Sequence, residues 1–217
     1  MNPTTSSRRS RQRPWQRSWQ RPWSLVRLAC SAAVLSGVLG LAAPALAAPA
    51  KKFHFELLEV KAKAEVKPDV AKSATPRIEA QVKKVFATHP QLVAQLDGAP
   101  DPQKNAEGYR KYLAQKNLSG AYLVSVDITD AEEELEPMEG KANTQRLTIK
   151  VAIHMLGEHI PGRTIGFTGD GKATIKQEIG MKLRDRDRDD TWNAAAELAV
   201  DDAMKKAFQQ LGAPQKK

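Results

Sequence analysis

RLTIKVAIHM, Arg146 to Met155, decides the fold. Leu147, Ile149, Val151, Ile153 and Met155 alternate with Thr148, Lys150, Ala152 and His154. A period of two is the mark of a β-strand with one face buried and one face wetter. Upstream, AYLVSVDI repeats the pattern: Tyr122, Val124, Val126 and Ile128 point one way, Ser125 and Asp127 the other. Between the two lies DAEEELEPMEG, Asp130 to Gly140, with six acids in eleven residues and a proline. A charge run of that density reads as a solvated loop. Downstream, Ile165 and Phe167 begin another strand, Gly169-Asp170-Gly171 reads as a tight turn, and Ala173, Ile175, Gln177 and Ile179 as the return partner.

The chain's best helix follows. From Trp192, Ala195, Ala199, Ala203, Ala207 and Leu211 form one ridge, and Ala196, Val200, Met204 and Phe208 the ridge beside it. Small side chains let such a helix lie close on a sheet. Asp190 or Thr191 can cap its start, Asp201–Lys205 and Asp202–Lys206 pair on the outside, and Gly212 stops it. Further upstream, Thr75-Pro76 reads as a cap with proline in the first turn, and Ile78, Val82, Val85 and Phe86 as one helical face that ends at His89-Pro90. Gln91 to Leu96 reads as an extra turn or two, and Ala106, Tyr109, Tyr112 and Leu113 as a second short helix. Residues 48–74 are a basic lead-in, either an edge strand or a loose segment. The expectation is an α+β fold: an antiparallel or mixed sheet of about four or five strands, two main helices on one face. Residues 75–212 form its single domain and 213–217 a tail.

The first 47 residues read differently. RPWQRSWQRPW, Arg13 to Trp23, interleaves arginine with tryptophan, and no acid precedes Glu56. Leu28 to Ala43 then runs sixteen residues without a charge, and Ala45-Leu46-Ala47 offers the small-x-small site that a signal peptidase cuts before Ala48. A basic region, a short apolar core and such a site predict a cleaved secretory leader spanning 1–47. Its apolar core is short and rich in Ala, Gly and Ser for a span of about 20 apolar residues, so no stable membrane insertion is expected after cleavage. The one cysteine, Cys30, stands at the start of the apolar stretch and not after it, where lipidation would place it, so the mature chain is expected to be free of cysteine.

Charge changes meaning with that cut. The whole chain carries +9, but residues 1–47 hold seven arginines and no acid, which leaves 27 basic against 25 acidic residues, a net +2. A nucleic-acid role drawn from the basic leader is therefore excluded. Localisation is expected to be periplasmic or secreted.

Each catalytic or metal motif in the chain has a plainer reading. GFTGDGKA, Gly166 to Ala173, falls one residue short of a phosphate-binding loop, because Ala173 stands where magnesium needs Ser or Thr. RDRDRDD lacks the glycine and terminal glutamate of a calcium loop, and its arginines repel cations, so Asp185, Asp187, Asp189 and Asp190 read as a self-neutralising linker. His154 and His159 stand five apart without a third ligand and read as surface histidines. Ser73, Ser119 and Ser125 lie in no nucleophile motif. No enzyme activity, cofactor or metal site is expected.

The valine-rich strands AYLVSVDI and RLTIKVAIHML, the glycine-rich segment after them and the alanine-ridged closing helix resemble the small α/β modules of Gram-negative envelope proteins. The TolB N-terminal domain, the curli-secretion lipoprotein CsgG and the penicillin-binding-protein activator LpoB are of this kind. The resemblance implies a non-enzymatic, partner-binding envelope protein and carries over no residue roles. The lipoprotein members hold a cysteine after the signal core; this chain does not. The expected function is thus an exported binding or assembly module with a protein partner. The acidic run, Glu132, Glu133, Glu134 and Glu136, is its candidate surface, and its oligomeric state is open. The alternatives are an envelope hydrolase or metal enzyme using His154 and His159, and a structural protein that self-associates through a strand edge.

Overall fold

A computed structural model describes residues 51–141 and 143–212. The leader, Cys30, the cleavage-site residues Ala45, Ala47 and Ala48, and the tail 213–217 lie outside the described residues. The element order is β1 (Lys52–Ala62), α1 (Pro68–Thr88), α2 (Ala106–Gln115), β2 (Leu118–Pro137), β3 (Thr144–His159), β4 (Ile165–Gly180) and α3 (Asp185–Gly212). The four strands form one sheet in the order β1-β2-β3-β4. β1 runs parallel to β2, and the other neighbours are antiparallel. The fold is α+β with a mixed sheet, as the strand periods require.

The predicted faces of β2, β3 and α3 are the buried ones. Val124, Val126, Ile128, Leu147, Ile149, Ile153 and Met155 pack against Ala195, Ala199, Ala203 and Val200. α1 and α3 share this side of the sheet. α2 packs on the opposite face at one end, where Tyr109 and Leu113 meet Leu118 and Ala121 in a second, smaller cluster.

Five readings are resolved or corrected. First, of the two readings of the lead-in, the edge strand is the one found, and its Phe53 and Phe55 enter the core; Phe55 stacks on Phe167 at 5.0 Å and on Phe208 at 5.8 Å. Second, α1 begins at Pro68, not at Thr75-Pro76. Pro68 fills a first-turn position and Asp69 favours the positive helix end, while Pro76 sits inside, with the Arg77 guanidinium donating to the Ser73 carbonyl. Third, Gln91–Val93 forms no helical turn. Phe53 N–H donates to Gln91 O and Val93 N–H to Phe53 O, so the segment covers part of the β1 edge.

Fourth, RDRDRDD is not a linker but the first turns of α3. Its alternation places Arg184, just before the helix, against Asp187, and Arg186 against Asp190, the three- and four-residue spacings that a helical turn brings together. Asp189 also pairs with Arg77 of α1. The predicted cap Thr191 is buried inside, its hydroxyl donating to Asp187 O at 2.6 Å.

Fifth, Gly169-Asp170-Gly171 is no turn: β4 runs unbroken through it. A Cβ on Gly171 would stand 1.8 Å from the Ala199 carbonyl oxygen, and one on Gly169 2.3 Å from that of Ala203. The glycines let the α3 backbone rest directly on the strand. That approach brings three α3 side chains to the free edge of β4. Gln210 Oε1 accepts the Thr168 N–H at 2.9 Å, Lys206 Nζ donates to the Asp170 carbonyl at 2.6 Å, and Asp202 Oδ2 accepts the Lys172 N–H at 3.3 Å. The Lys206 hydrogen bond, helped by the Lys172 amide, holds the Asp202 carboxyl below its ordinary range against the opposing effect of burial. Unpaired edges invite foreign strands. Here one edge is stapled by α3, and the other is partly covered by Gln91–Val93 and broken by a register shift between Leu57 and Glu59. Both outer strands are thus guarded against strand addition.

Candidate functional site

The predicted acidic loop is strand. β2 continues to Pro137, and Glu132, Glu134 and Glu136 stand opposite Lys150, Thr148 and Arg146 of β3. Cross-strand charge pairing explains why this run can be extended. Lys150 Nζ donates to Glu132 at 2.7 Å and lies 3.6 Å from Glu134. That hydrogen bond, with the lysine's charge, holds the Glu132 carboxyl below the usual carboxylate range and raises Lys150 in turn. These three glutamates belong to the sheet face away from α1 and α3.

Glu133 does not. It faces the helices, and its side chain is only 17% exposed. Its carboxylate takes Arg188 Nε at 2.9 Å and the Trp192 indole N–H at 2.8 Å. Glu133 is a structural anchor for the start of α3, so it leaves the candidate surface. The sequence carried no sign of this pairing across fifty-nine residues, beyond the rule that a buried tryptophan needs an acceptor.

The acid-rich half of β2 has an open side. β1 pairs with β2 only as far as Ala62 opposite Ile128. Among the described residues, Asp130 to Pro137 pair with β3 alone. Glu134, Glu136 and Leu135 are exposed there, Leu135 by 45%. The far end of the sheet thus presents an open strand edge, with Glu134 and Glu136 on one face and Leu135 on the other.

The two histidines of the alternative reading are not brought together. His154 lies on the face away from α1 and α3, its Nδ1 2.7 Å from Asp170 Oδ1. His159 stands opposite Tyr122 on the other face, the ring centroids 4.6 Å apart. An odd number of steps along a strand separates the faces. Among the described residues no three His, Cys, Asp or Glu side chains group as metal ligands. Among them, too, no helix is long and apolar enough to cross a membrane.

Two grooves flank the sheet. One, of about 550 Å³, lies between the C-terminal ends of α1 and α3, where His89 stacks on Phe208 at 4.3 Å. The other, of about 400 Å³, lies between α2, the start of β2 and the β3–β4 connection, with His159 and Arg110 in its wall. Burial lowers both His89 and His159 from their ordinary value of 6.5; at His89 the nearby Asp201 carboxylate opposes it in part. A base whose folded pKa is depressed stabilises the fold above its unfolded pKa and loses that contribution as pH falls. The unfolding midpoint is therefore expected to drop on acidification from neutrality to below 6.5. The His89→Gln/His159→Gln double variant should show a shallower drop in the same thermal melts. An unchanged slope would refute the assignment.

Sequence reasoning passed over Arg110. Helical spacing sets Glu107 within reach of both Arg110 and Lys111; the carboxylate pairs with Lys111 at 2.8 Å, which leaves Arg110 without an ion pair on α2.

No protein-family model matches the chain. No curated protein matches it in sequence. Solved structures with a related outline include the minor lipoprotein of Acinetobacter baumannii, with 13% identity over 74% of this chain and 92% of that one, TM-score 0.36. Rare lipoprotein B of Shewanella oneidensis gives 12% identity over 72% and 97%, TM-score 0.32. Lipoprotein B of Nitrosomonas europaea gives 11% over 73% and 88%, TM-score 0.30. Superposition this partial carries no functional inference.

Proposed function

We propose that the protein is an exported, non-enzymatic binding or assembly module of the bacterial cell envelope that acts through a protein partner. In this reading residues 1–47 are removed before Ala48, and the mature chain works in the periplasm or beyond it. The observation that carries the binding role is the open side of β2. Glu134 and Glu136 are exposed beside Leu135 on a strand stretch that has no outer neighbour. The acidic face of this stretch suits a basic partner surface, because complementary charge speeds encounter, and Leu135 on the other face adds an apolar contact that docking along the edge can bury.

The test is capture from an envelope extract with the wild-type protein and with Glu134→Lys/Glu136→Lys. Expected is a basic partner that is held at low salt, released as salt rises and lost with the charge-reversed variant. Equal capture by both proteins, or none at any salt, would overturn the proposal. The leader is tested separately by the mass of the exported chain, which should begin at Ala48.

A further inference from the structure

We infer that the groove beside α2 binds an aliphatic carboxylate, with the acid head on Arg110 and the aliphatic body on Leu113 and Ile160. The inference is independent of the acidic edge of β2 and of export. Its starting point is charge. The residues around the groove include Arg110, Leu113, Ser119, His159, Ile160 and Thr164, and no aspartate or glutamate is among them. Acids stand nearby but are engaged elsewhere. Glu107 pairs with Lys111, and Glu158 with Arg163. Among the described residues Arg110 meets no carboxylate, so its guanidinium is the one full charge on the groove wall.

The remaining wall suits the same ligand. His159 is fixed from both sides: its ring lies against Tyr122, its backbone N–H donates to Thr164 O at 2.8 Å, and its backbone carbonyl accepts from Arg163 N–H at 3.0 Å. Burial favours the neutral imidazole, so Arg110 is the fixed charge of the wall. Ile160 N–H donates to Ala121 O at 2.9 Å, which ties this wall to β2. Leu113 and Ile160 belong to the small apolar cluster under α2, so the floor is preformed. The Ser119 and Thr164 hydroxyls add short-range donors at the rim. A guanidinium fork matches a carboxylate in two parallel hydrogen bonds. The volume of about 400 Å³ lies at the small end of ligand sites, room for a short aliphatic acid or the last residue or two of a peptide.

The experiment titrates the full-length, isotope-labelled protein by amide chemical shifts. The probes are hexanoate, hexanol, and acetyl-alanyl-leucine as the free acid and as the C-terminal amide. Expected are saturable shifts at Arg110, Ser119, His159 and Thr164 with the carboxylates, and none of comparable size with hexanol or the amide. Arg110→Met keeps the aliphatic stem and removes the charge; because Arg110 is exposed, the variant should melt with wild type and bind about tenfold more weakly. Tighter binding of the peptide acid than of hexanoate identifies a peptide C-terminus as the source, and the reverse order a free acid. Hexanol matching hexanoate, binding unchanged in Arg110→Met, or no saturable shift with either carboxylate would each overturn the inference.

Discussion

Gly171→Ala is expected to cost the fold roughly 3–5 kcal/mol, above the usual penalty of about 1–3 for an overpacked site. The new methyl would stand 1.8 Å from the Ala199 carbonyl oxygen and 2.9 Å from its carbon. The obstacle is helix backbone, so no rotamer change relieves it. α3 must lift from the sheet, and with it go the contacts of Ala199, Ala203 and Val200. A domain of this size holds about 5–15 kcal/mol in all, so the loss is a large share. Urea unfolding measures it. Gly180→Ala is the control, since nothing lies within 4 Å of its Cβ position, and should fall within about 0.5 kcal/mol of wild type. Ala199→Gly should not rescue Gly171→Ala, because it removes a side chain and leaves the carbonyl in place. A midpoint equal to that of wild type would show that the helix does not rest on the strand as described.

The second large effect belongs to Glu133. Trp192 is fully buried, and its indole N–H has the Glu133 carboxylate as acceptor at 2.8 Å. Glu133→Ala leaves that donor inside the protein without a partner and deprives Arg188 of its counter-charge. The orphaned N–H alone costs about 1–3 kcal/mol. Arg188 is partly exposed and recovers some hydration, which limits its share. The sum expected is about 2–3 kcal/mol, a melting point lowered by roughly 5–10 °C. Glu133→Gln retains an acceptor oxygen and should lose about half as much. In a double-mutant cycle, Trp192→Phe should remove most of the added cost of Glu133→Ala. A full, undiminished cost of Glu133→Ala in the Trp192→Phe background would show that the carboxylate acts elsewhere.

What the sequence made legible was set by range. β3 and the two ridges of α3 were readable because their periods are written in adjacent residues, and burial of one face follows directly. The acidic half of β2 was misread because its stabilising partners, Lys150 and Arg146, lie on another strand, and a charge run alone resembles a solvated loop. RDRDRDD failed for the same reason in part: Arg188 and Asp189 answer to Glu133 and Arg77, far away in the chain. Gly169 and Gly171 pointed to a turn because glycine's usual local use is conformational; here its use is steric, and only the position of α3 reveals it. The grooves were out of reach, since one is lined from two and the other from three segments far apart in the chain. Within the acidic run Glu133 is an anchor, while Glu134 and Glu136 are exposed on the open stretch of their strand.

The three bonds from α3 to the rim of β4 work like a vernier. Four helical residues advance about 6.0 Å, and two strand residues about 6.8 Å. Gln210, Lys206 and Asp202 step down the helix as Thr168, Asp170 and Lys172 step up the strand. The two scales therefore drift by less than an ångström per mark. The next mark on the helix is Leu198, which has no acceptor to offer and is 51% exposed. Such a gauge tolerates substitution better than it tolerates indels: one residue added to β4 between Thr168 and Lys172 would turn every later side chain to the wrong face. Length, more than composition, is what these two elements must keep in common.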